Sequence, residues 1–321
     1  MYHHYFQLTQ PPFRITPDTR MFFPGGDRGA ILEALLYAIT QGEGIVKVVG
    51  EVGSGKTMLC RMLESELPQH VETVYLANPS LSRKEILHAI AIELSIPASA
   101  TEERLTVMHR LYEFLVKKHA ENRQVVMLVE EAQSMPIETL EEIRLLSNLE
   151  TQHEKLLQIV LFGQPELDHV LSEPAIRPLK DRITNRFYLT SFKQYQIREY
   201  VNSRLWASGY RGTEVFAPGA IRAIERYSQG LLRRINILAD KAMLAAYVHN
   251  ELVVTARHVK MAAQDGEFTY SWQWPKLAAV IGVSVLIVMG ASWWLYNHGL
   301  PADLASRFSL QENSLKDTAS R

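Results

Sequence analysis

Apolar and polar positions follow two regimes along the chain. Between residues 45 and 190, short apolar runs alternate with stretches whose apolar residues recur at helical spacing. The runs are IVKVV (45–49), VETVYL (71–76), VVMLV (125–129) and LQIVLF (157–162). They predict strands, the last two covered on both faces as in a parallel sheet. Arg186 to Thr190 predicts a fifth. Ahead of the first run, Ile31, Leu35, Leu36 and Ile39 share one helical face. So do Ile86, Leu87, Ile90 and Leu94 within Lys84–Leu94. Ser99 with Glu102 predicts a capping box for a helix carrying Leu105, Met108, Leu111, Tyr112 and Leu115 on one face. Pro136 suits the first turn of a helix reaching Leu149. Alternation of this kind predicts a doubly wound α/β layer.

From Ser191 onward the strands stop. Ser191 with Gln194 reads as a cap, and helices are expected at 193–207, 218–228, 231–249 and 255–264. The chain therefore divides into a loop-rich lead-in (1–44), an α/β domain (45–190), an all-α domain (191–265), a linker (266–276), an apolar segment (277–296) and a short flexible tail (297–321). The apolar segment, LAAVIGVSVLIVMGASWWLY, holds 20 residues without a charge. As a helix it is ~30 Å long, the thickness of a bilayer's hydrocarbon core. Trp272 and Trp274 precede it, and Trp293, Trp294 and Tyr296 close it, as aromatics do at membrane interfaces. It predicts one C-terminal transmembrane helix; the alternative is a buried core helix. The opening MYHHYFQLTQPPF has no signal-peptide apolar region. Arg257, Lys260 and Lys276 before the span, against Arg307 soon after it, lean weakly toward a cytoplasmic main body.

Composition narrows the options. With 321 residues, 47% hydrophobic and 21% charged, the chain is not mostly disordered. One cysteine, Cys60, excludes an intramolecular disulfide and a multi-cysteine zinc site; it is expected in the core. Lys+Arg of 34 against Asp+Glu of 35 speaks against a dedicated nucleic-acid binder. The 11 histidines form no HExxH, and there is no G-x-S-x-G.

The candidate chemistry begins directly after the first strand. Gly50-Glu51-Val52-Gly53-Ser54-Gly55-Lys56-Thr57 reads G-x-x-x-x-G-K-T, with Met58 next in the following helix. Glycines let the backbone wrap a phosphate, successive N–H groups point inward, and the helix adds its positive end. Lys56 is then placed for the β- and γ-phosphates and the Thr57 hydroxyl for Mg²⁺. Hydrolysis needs more: an acid beside the metal and a group that orients water. VVMLV ends in Glu130-Glu131, at a strand's carboxyl edge where α/β sheets bind ligands. Neighbouring strand residues point to opposite sides, which predicts separate roles: Glu130 for the Mg²⁺ water shell, Glu131 for polarising the attacking water. Gln164, in Gly163-Gln164-Pro165 after the next strand, would reach γ-phosphate or water. Arg182 or Arg186 could serve a neighbouring subunit's γ-phosphate. In Gly230-Leu231-Leu232-Arg233-Arg234, either arginine could lean over the nucleotide, with Gly230 ending the helix before.

Together these residues resemble the AAA+ ATPases of the ExeA/GspA general secretion family, in particular its pilus-biogenesis members, over roughly residues 1–265. The likeness rests on GEVGSGKTMLCR (50–61), EEAQ (130–133), IRLLSNLET (143–151), LLQIVLFGQPEL (156–167), LKDRITNRF (179–187) and GLLRRINILADKAMLAAY (230–247), with Tyr5-Phe6, Pro12-Phe13 and Thr16-Pro17-Asp18 at the start. It implies a P-loop AAA+ three-layer α/β/α parallel sheet followed by an all-α lid, with ATP and Mg²⁺ bound. By the same resemblance Lys56 and Thr57 belong to Walker A, Glu130 and Glu131 to Walker B, Gln164 is sensor 1, Arg182 or Arg186 the finger and Arg233 sensor 2. Phe13, Asp27 and Arg28 would border adenine. The implied partners are further copies of the chain in a ring or higher assembly, and proteins that assemble a type IV-like (MSHA) pilus or a type II secretion machine at a bacterial inner membrane. Three features depart from the family: Glu130 replaces the usual Asp, Leu232 stands where Pro precedes the sensor 2 arginine, and the 25-residue tail is too short for the peptidoglycan-binding domain of longer members. Two other readings stay open. One is a DNA-linked ATPase of the transposition-helper kind; the other is a nucleotide-gated scaffold with little turnover.

Overall fold

The strand that leads into the glycine-rich loop lies inside the sheet. In the computed structural model, which describes residues 2–99, 101–266 and 268 with isolated positions 288–290, 293 and 297, β1 (Ile45–Gly50) is fully buried. β2 (Val71–Leu76), β3 (Gln124–Val129), β4 (Leu157–Gly163) and β5 (Ile183–Leu189) complete the sheet. The order is β2-β3-β4-β1-β5, every pair parallel. All five carboxyl ends therefore share one edge. At that edge β1 has β4 on one side and β5 on the other, with Val49 opposite Gly163 and Gly50 opposite Leu189.

Twelve helices are assigned among the described residues: α1 (Tyr2–Tyr5), α2 (Arg28–Thr40), α3 (Lys56–Glu66), α4 (Arg83–Glu93), α5 (Arg104–Ala120), α6 (Ile137–Leu146), α7 (Glu166–Val170), α8 (Arg177–Lys180), α9 (Gln194–Ala207), α10 (Pro218–Ser228), α11 (Leu232–Val248) and α12 (Ala256–Asp265). The period-2 alternation of the strands sorts their side chains onto two faces. Val46, Val48, Val126, Leu128, Val160 and Phe162 pack with Leu35 of α2 and Leu59 and Leu63 of α3. Ile45, Val49, Met127, Ile159 and Leu161 pack with Ile86 of α4, Leu111 of α5 and Leu140 of α6. This is the three-layer arrangement, and it explains why the central strands are apolar throughout. A buried Glu142 on α6 locks one layer. It accepts from Arg83 Nε at 2.6 Å and from Arg104 Nη2 at 2.8 and 2.9 Å.

Between β5 and Gly266, the described residues contain four helices, α9–α12, around a separate apolar cluster that includes Ile197, Ile221, Leu238 and Val259. Tyr2, Phe6, Leu8 and Phe13 join it. The opening of the chain is thus a strap on the helical bundle as well as a loop-rich approach to the sheet.

Several boundaries differ from the sequence reading. Ser99 does not cap α5. Its N–H donates to the Glu102 carboxylate at 3.0 Å, but the helix starts at Arg104, which is drawn onto Glu142. The buried face is then Val107, Leu111 and Leu115, while Leu105 is 70% exposed and Tyr112 also faces solvent. α6 stops at Leu146 and not Leu149, where the Ser147 hydroxyl turns back onto the Arg144 carbonyl at 2.7 Å. β5 begins at Ile183, so Arg186 is mid-strand. α9 is opened by Lys193, whose N–H donates to Gln196 Oε1 at 2.8 Å; Ser191 lies before it. Gln229 takes the left-handed cap of α10 at φ 56°, and Gly230 follows at φ 75°.

No helix among the described residues is long and apolar enough to cross a membrane. The proposed span at 277–296 falls almost wholly outside the described residues, as do most of the linker and the tail.

Candidate functional site

A cleft of about 310 Å³ opens at the carboxyl edge of the sheet, between the glycine-rich loop, α11 and the N-terminal strap. The loop's shape comes from its glycines. Gly53 (φ 79°) and Gly55 (φ 104°) occupy left-handed backbone that side chains resist. A Cβ on Gly53 would lie 2.8 Å from Arg233 Cβ, and one on Gly55 2.9 Å from Leu232 Cδ1. A Cβ on Gly50 would meet Ser54 Oγ at 2.5 Å. Side chains at these positions would fill the cradle. Glu51 and Val52 are exposed at the tip, Ser54 is buried beneath it, and Met58 lines the cleft.

Lys56 is the first residue of α3 and only 5% exposed. Its ammonium donates to the carbonyls of Gly50 at 2.8 Å and Glu51 at 3.2 Å. Burial pulls its pKa down from the ordinary lysine value, and the charges of Glu131 and Glu130 oppose that shift. Arg28 supports the loop from behind. Its Nη2 donates to Ser54 O (2.9 Å) and Thr190 O (3.1 Å), and its guanidinium lies 4.1 Å over the Phe192 ring. Burial lowers its pKa to about 10, which leaves it charged at neutral pH.

The two glutamates follow directly on the last residue of β3, Val129, and separate. Glu130 accepts from the Thr57 hydroxyl at 2.6 Å and from the Tyr75 hydroxyl at 2.8 Å, one on each carboxylate oxygen. Glu131 adopts the left-handed conformation (φ 52°) and turns the other way. Its Oε2 accepts from Gln164 Nε2 at 2.8 Å and Gln133 Nε2 at 2.7 Å. Gln133 Oε1 in turn accepts the Gln164 N–H at 2.9 Å. Burial alone would raise the Glu131 pKa, but the hydrogen bonds from Gln164 and Gln133, helped by Lys56, hold it below the usual glutamate value. Hard oxygen donors from Thr57 and Glu130, beside a loop of inward N–H groups and a buried lysine, fit a Mg²⁺–nucleotide.

The arginines divide. Arg233 lines the cleft, and its backbone N–H donates to Gly53 O at 3.1 Å. Arg234 turns away to Gln229 Oε1 at 3.1 Å. The choice left open by the sequence thus falls geometrically on Arg233. Neither Arg182 nor Arg186 lines the cleft. Ile183 pairs with Ile45 at the foot of β1, so Arg182 lies at the strand end opposite Gly50. Arg186 is exposed and reaches only the Lys180 carbonyl, at 3.5 Å. Phe13 does not border the cleft; its apolar ring packs edge-on against Phe216 in the helical core. Asp27 is likewise not part of the lining, while Arg28 contributes to it. The outer wall is instead Arg14 to Pro17 and Met21 to Phe23. Arg204, 3% exposed, fastens that wall to α9 by donating to Pro12 O at 2.6 Å. Tyr75, Gln133 and Arg204 were not singled out by sequence reasoning. Of the three, only Gln133, inside EEAQ, lies in a segment that carries the family resemblance.

Comparison with known proteins follows this geometry. Residues 39–171 match a family described as AAA domain. The general secretion pathway protein A of Aeromonas hydrophila is 35% identical over 301 residues, covering 92% of this chain and 54% of that protein. The chain thus spans about half the length of this curated relative. Among solved structures, the ORC2 protein of Aeropyrum pernix in its ADPNP–ADP complexes is 18% identical, with a TM-score of 0.55 over 77% of this chain and 71% of that one. Cdc6p of Pyrobaculum aerophilum gives 0.58 at 14% identity, over 77% and 71% of the two chains. The Holliday junction branch migration motor RuvB of Thermotoga maritima gives 0.52 at 17% identity, over 79% and 73%. At these identities the structural likeness is one of fold. The chain carries a P-loop AAA+ α/β fold and is a homologue of general secretion pathway protein A.

Proposed function

We propose that this protein binds and hydrolyses ATP with Mg²⁺, and that it uses nucleotide state to support assembly of a secretion machine or a type IV-like pilus. The observation that carries the reading is the convergence of Lys56, Thr57, Glu130, Glu131 and Gln164 on one sheet edge, where the glycine loop leaves room for phosphates. Lys56, pinned to the loop's own carbonyls, exchanges those acceptors for β- and γ-phosphate oxygens when the triphosphate enters. Thr57 donates its proton to Glu130, which leaves its oxygen lone pairs free for a cation. Thr57 and, through water, Glu130 would hold Mg²⁺, which would neutralise charge on the phosphates. Glu131 is anionic and accepts a hydrogen bond from the attacking water, taking up its proton as the new oxygen–phosphorus bond forms and releasing it to solvent, while Gln164 aims the carboxylate and offers its amide to the γ-phosphate. Water attacks phosphorus, the bond to the leaving ADP oxygen breaks, and phosphate departs.

Arg182 sits too far round the sheet to serve its own cleft, which fits a role across a subunit boundary. We therefore infer a homo-oligomer, in which Arg182 or Arg186 of one copy completes the site of the next. Arg233, on the first turn of α11, links the helical lid (191–265) to the loop of the α/β domain (45–190) and so reports nucleotide state. Placement at a bacterial inner membrane, through the apolar segment 277–296, and a role close to that of the MSHA pilus ATPase MshM rest on the sequence pattern and on the secretion relative. The test is steady-state phosphate release by the full chain in lipid or detergent, across protein concentration. Rate per subunit should rise with concentration, and Glu131→Gln should bind ATP while hydrolysing at least about a hundredfold more slowly. Wild-type turnover in Glu131→Gln would overturn the assignment.

A further inference from the structure

The geometry points to Tyr75 as a positioning residue that aims Glu130 and thereby sets the affinity of the site for its divalent cation. This rests on the Mg²⁺–nucleotide reading above. Glu130 stands at the end of β3, and Tyr75 on the neighbouring β2, paired in register with Leu128. That register carries the phenol to the carboxylate from one side while Thr57 on α3 reaches it from the other. The hydroxyls donate to different oxygens, Tyr75 to Oε1 at 2.8 Å and Thr57 to Oε2 at 2.6 Å. A glutamate has one more rotatable bond than an aspartate, so its carboxylate sweeps a larger volume when only one oxygen is held. Two donors from two elements remove that freedom. Each oxygen also keeps lone-pair capacity for a cation's water.

The phenol hydroxyl donates to Glu130 Oε1. The ring is half-buried and packs beside the cluster that includes Cys60, Leu63 and Leu128. The hydroxyl can therefore be removed while the packing is kept. Because Tyr75 touches Glu130 and not the nucleotide's place in the cleft, its effect should appear in the metal and spare the loop.

The experiment compares wild type, Tyr75→Phe, Glu130→Gln and the double variant. Mn²⁺ is titrated by electron paramagnetic resonance in the presence of ADP, and ADP binding is measured separately in EDTA. Tyr75→Phe should weaken Mn²⁺ about tenfold, as loss of a partner that orients a metal-site residue typically does. ADP affinity in EDTA should stay within twofold. In the Glu130→Gln background the Tyr75→Phe change should cost nothing further. Mn²⁺ affinity equal to wild type, or an equal loss in both backgrounds, overturns the inference alone. Loss of ADP affinity in EDTA would make Tyr75 a folding residue and overturn it too. If wild-type protein binds no ADP, the nucleotide reading itself fails and takes this inference with it.

Discussion

The backbone N–H of Arg233 donates to the carbonyl of Gly53 at 3.1 Å. The bond joins the first turn of α11 to the tip of the phosphate loop, two segments 180 residues apart, and leaves no room for a side chain on Gly53. Gly53→Ala must place a Cβ 2.8 Å from Arg233 Cβ while holding φ at 79°. Left-handed backbone costs an L-residue about 1–2 kcal/mol before any clash. ATP affinity should therefore fall by about tenfold or more, read by titration with a fluorescent nucleotide.

Arg233→Ala keeps the backbone bond and removes only the guanidinium. Nucleotide binding should survive with hydrolysis reduced about tenfold or more. Arg234→Ala, whose side chain turns to Gln229, should hydrolyse at close to the wild-type rate. Equal losses in the two variants would remove the distinction.

Gln133 holds both members of the Glu131–Gln164 pair, one by its amide nitrogen and the other by its amide oxygen. Gln133→Ala should lower kcat by about tenfold and leave KM for ATP nearly unchanged, since the loss falls on groups that act in the transition state. A rise in KM with kcat intact would place Gln133 in substrate binding instead.

Hydrogen bonds from Gln164 and Gln133 hold the Glu131 pKa below the ordinary glutamate value. A depressed carboxylate contributes stability that is fully present above its unfolded pKa and is lost as pH falls through the lower native one. The Tm difference between wild type and Glu131→Gln should thus be constant above about pH 5.5 and change only below about pH 4.5. Thermal unfolding across pH 3.5–8 measures this. A change centred near pH 6 would contradict it.

Arg204 is buried and donates to Pro12 O at 2.6 Å and, more weakly, to Arg14 O at 3.4 Å and Met21 O at 3.5 Å. Arg204→Met keeps the stem and orphans these carbonyls. Stability should fall by about 2–3 kcal/mol, and limited proteolysis should cut within residues 10–22, where the wild-type chain resists.

Much of the architecture was legible because central parallel strands have to be apolar on both faces. VVMLV and LQIVLF could hardly be anything else once helices covered both sides. The edge strand β5 carries a weaker imprint: only its end residues, Ile183 and Leu189, are buried, and only its second half was read, whereas the other edge strand, β2, was read in full. Helix starts failed where a distant partner decided them, as Glu142 does for Arg104. The exposed Leu105 shows the same limit, since an apolar residue in the right period still needs a neighbour to pack against.

Residue order alone determined the phosphate loop, because its chemistry depends on glycines, a lysine and a threonine at fixed short spacing along one strand–turn–helix. Strand alternation led to the expectation that Glu130 and Glu131 diverge, but both lie beyond Val129, the last residue of β3, and the left-handed backbone at Glu131 (φ 52°) is what turns it away. Only the folded chain decided which arginine meets the loop, that Phe13 belongs to the helical core, and that Tyr75, Gln133 and Arg204 matter. Those facts depend on contacts between elements far apart in sequence, and sheet order and helix packing set such contacts where local spacing carries no trace of them.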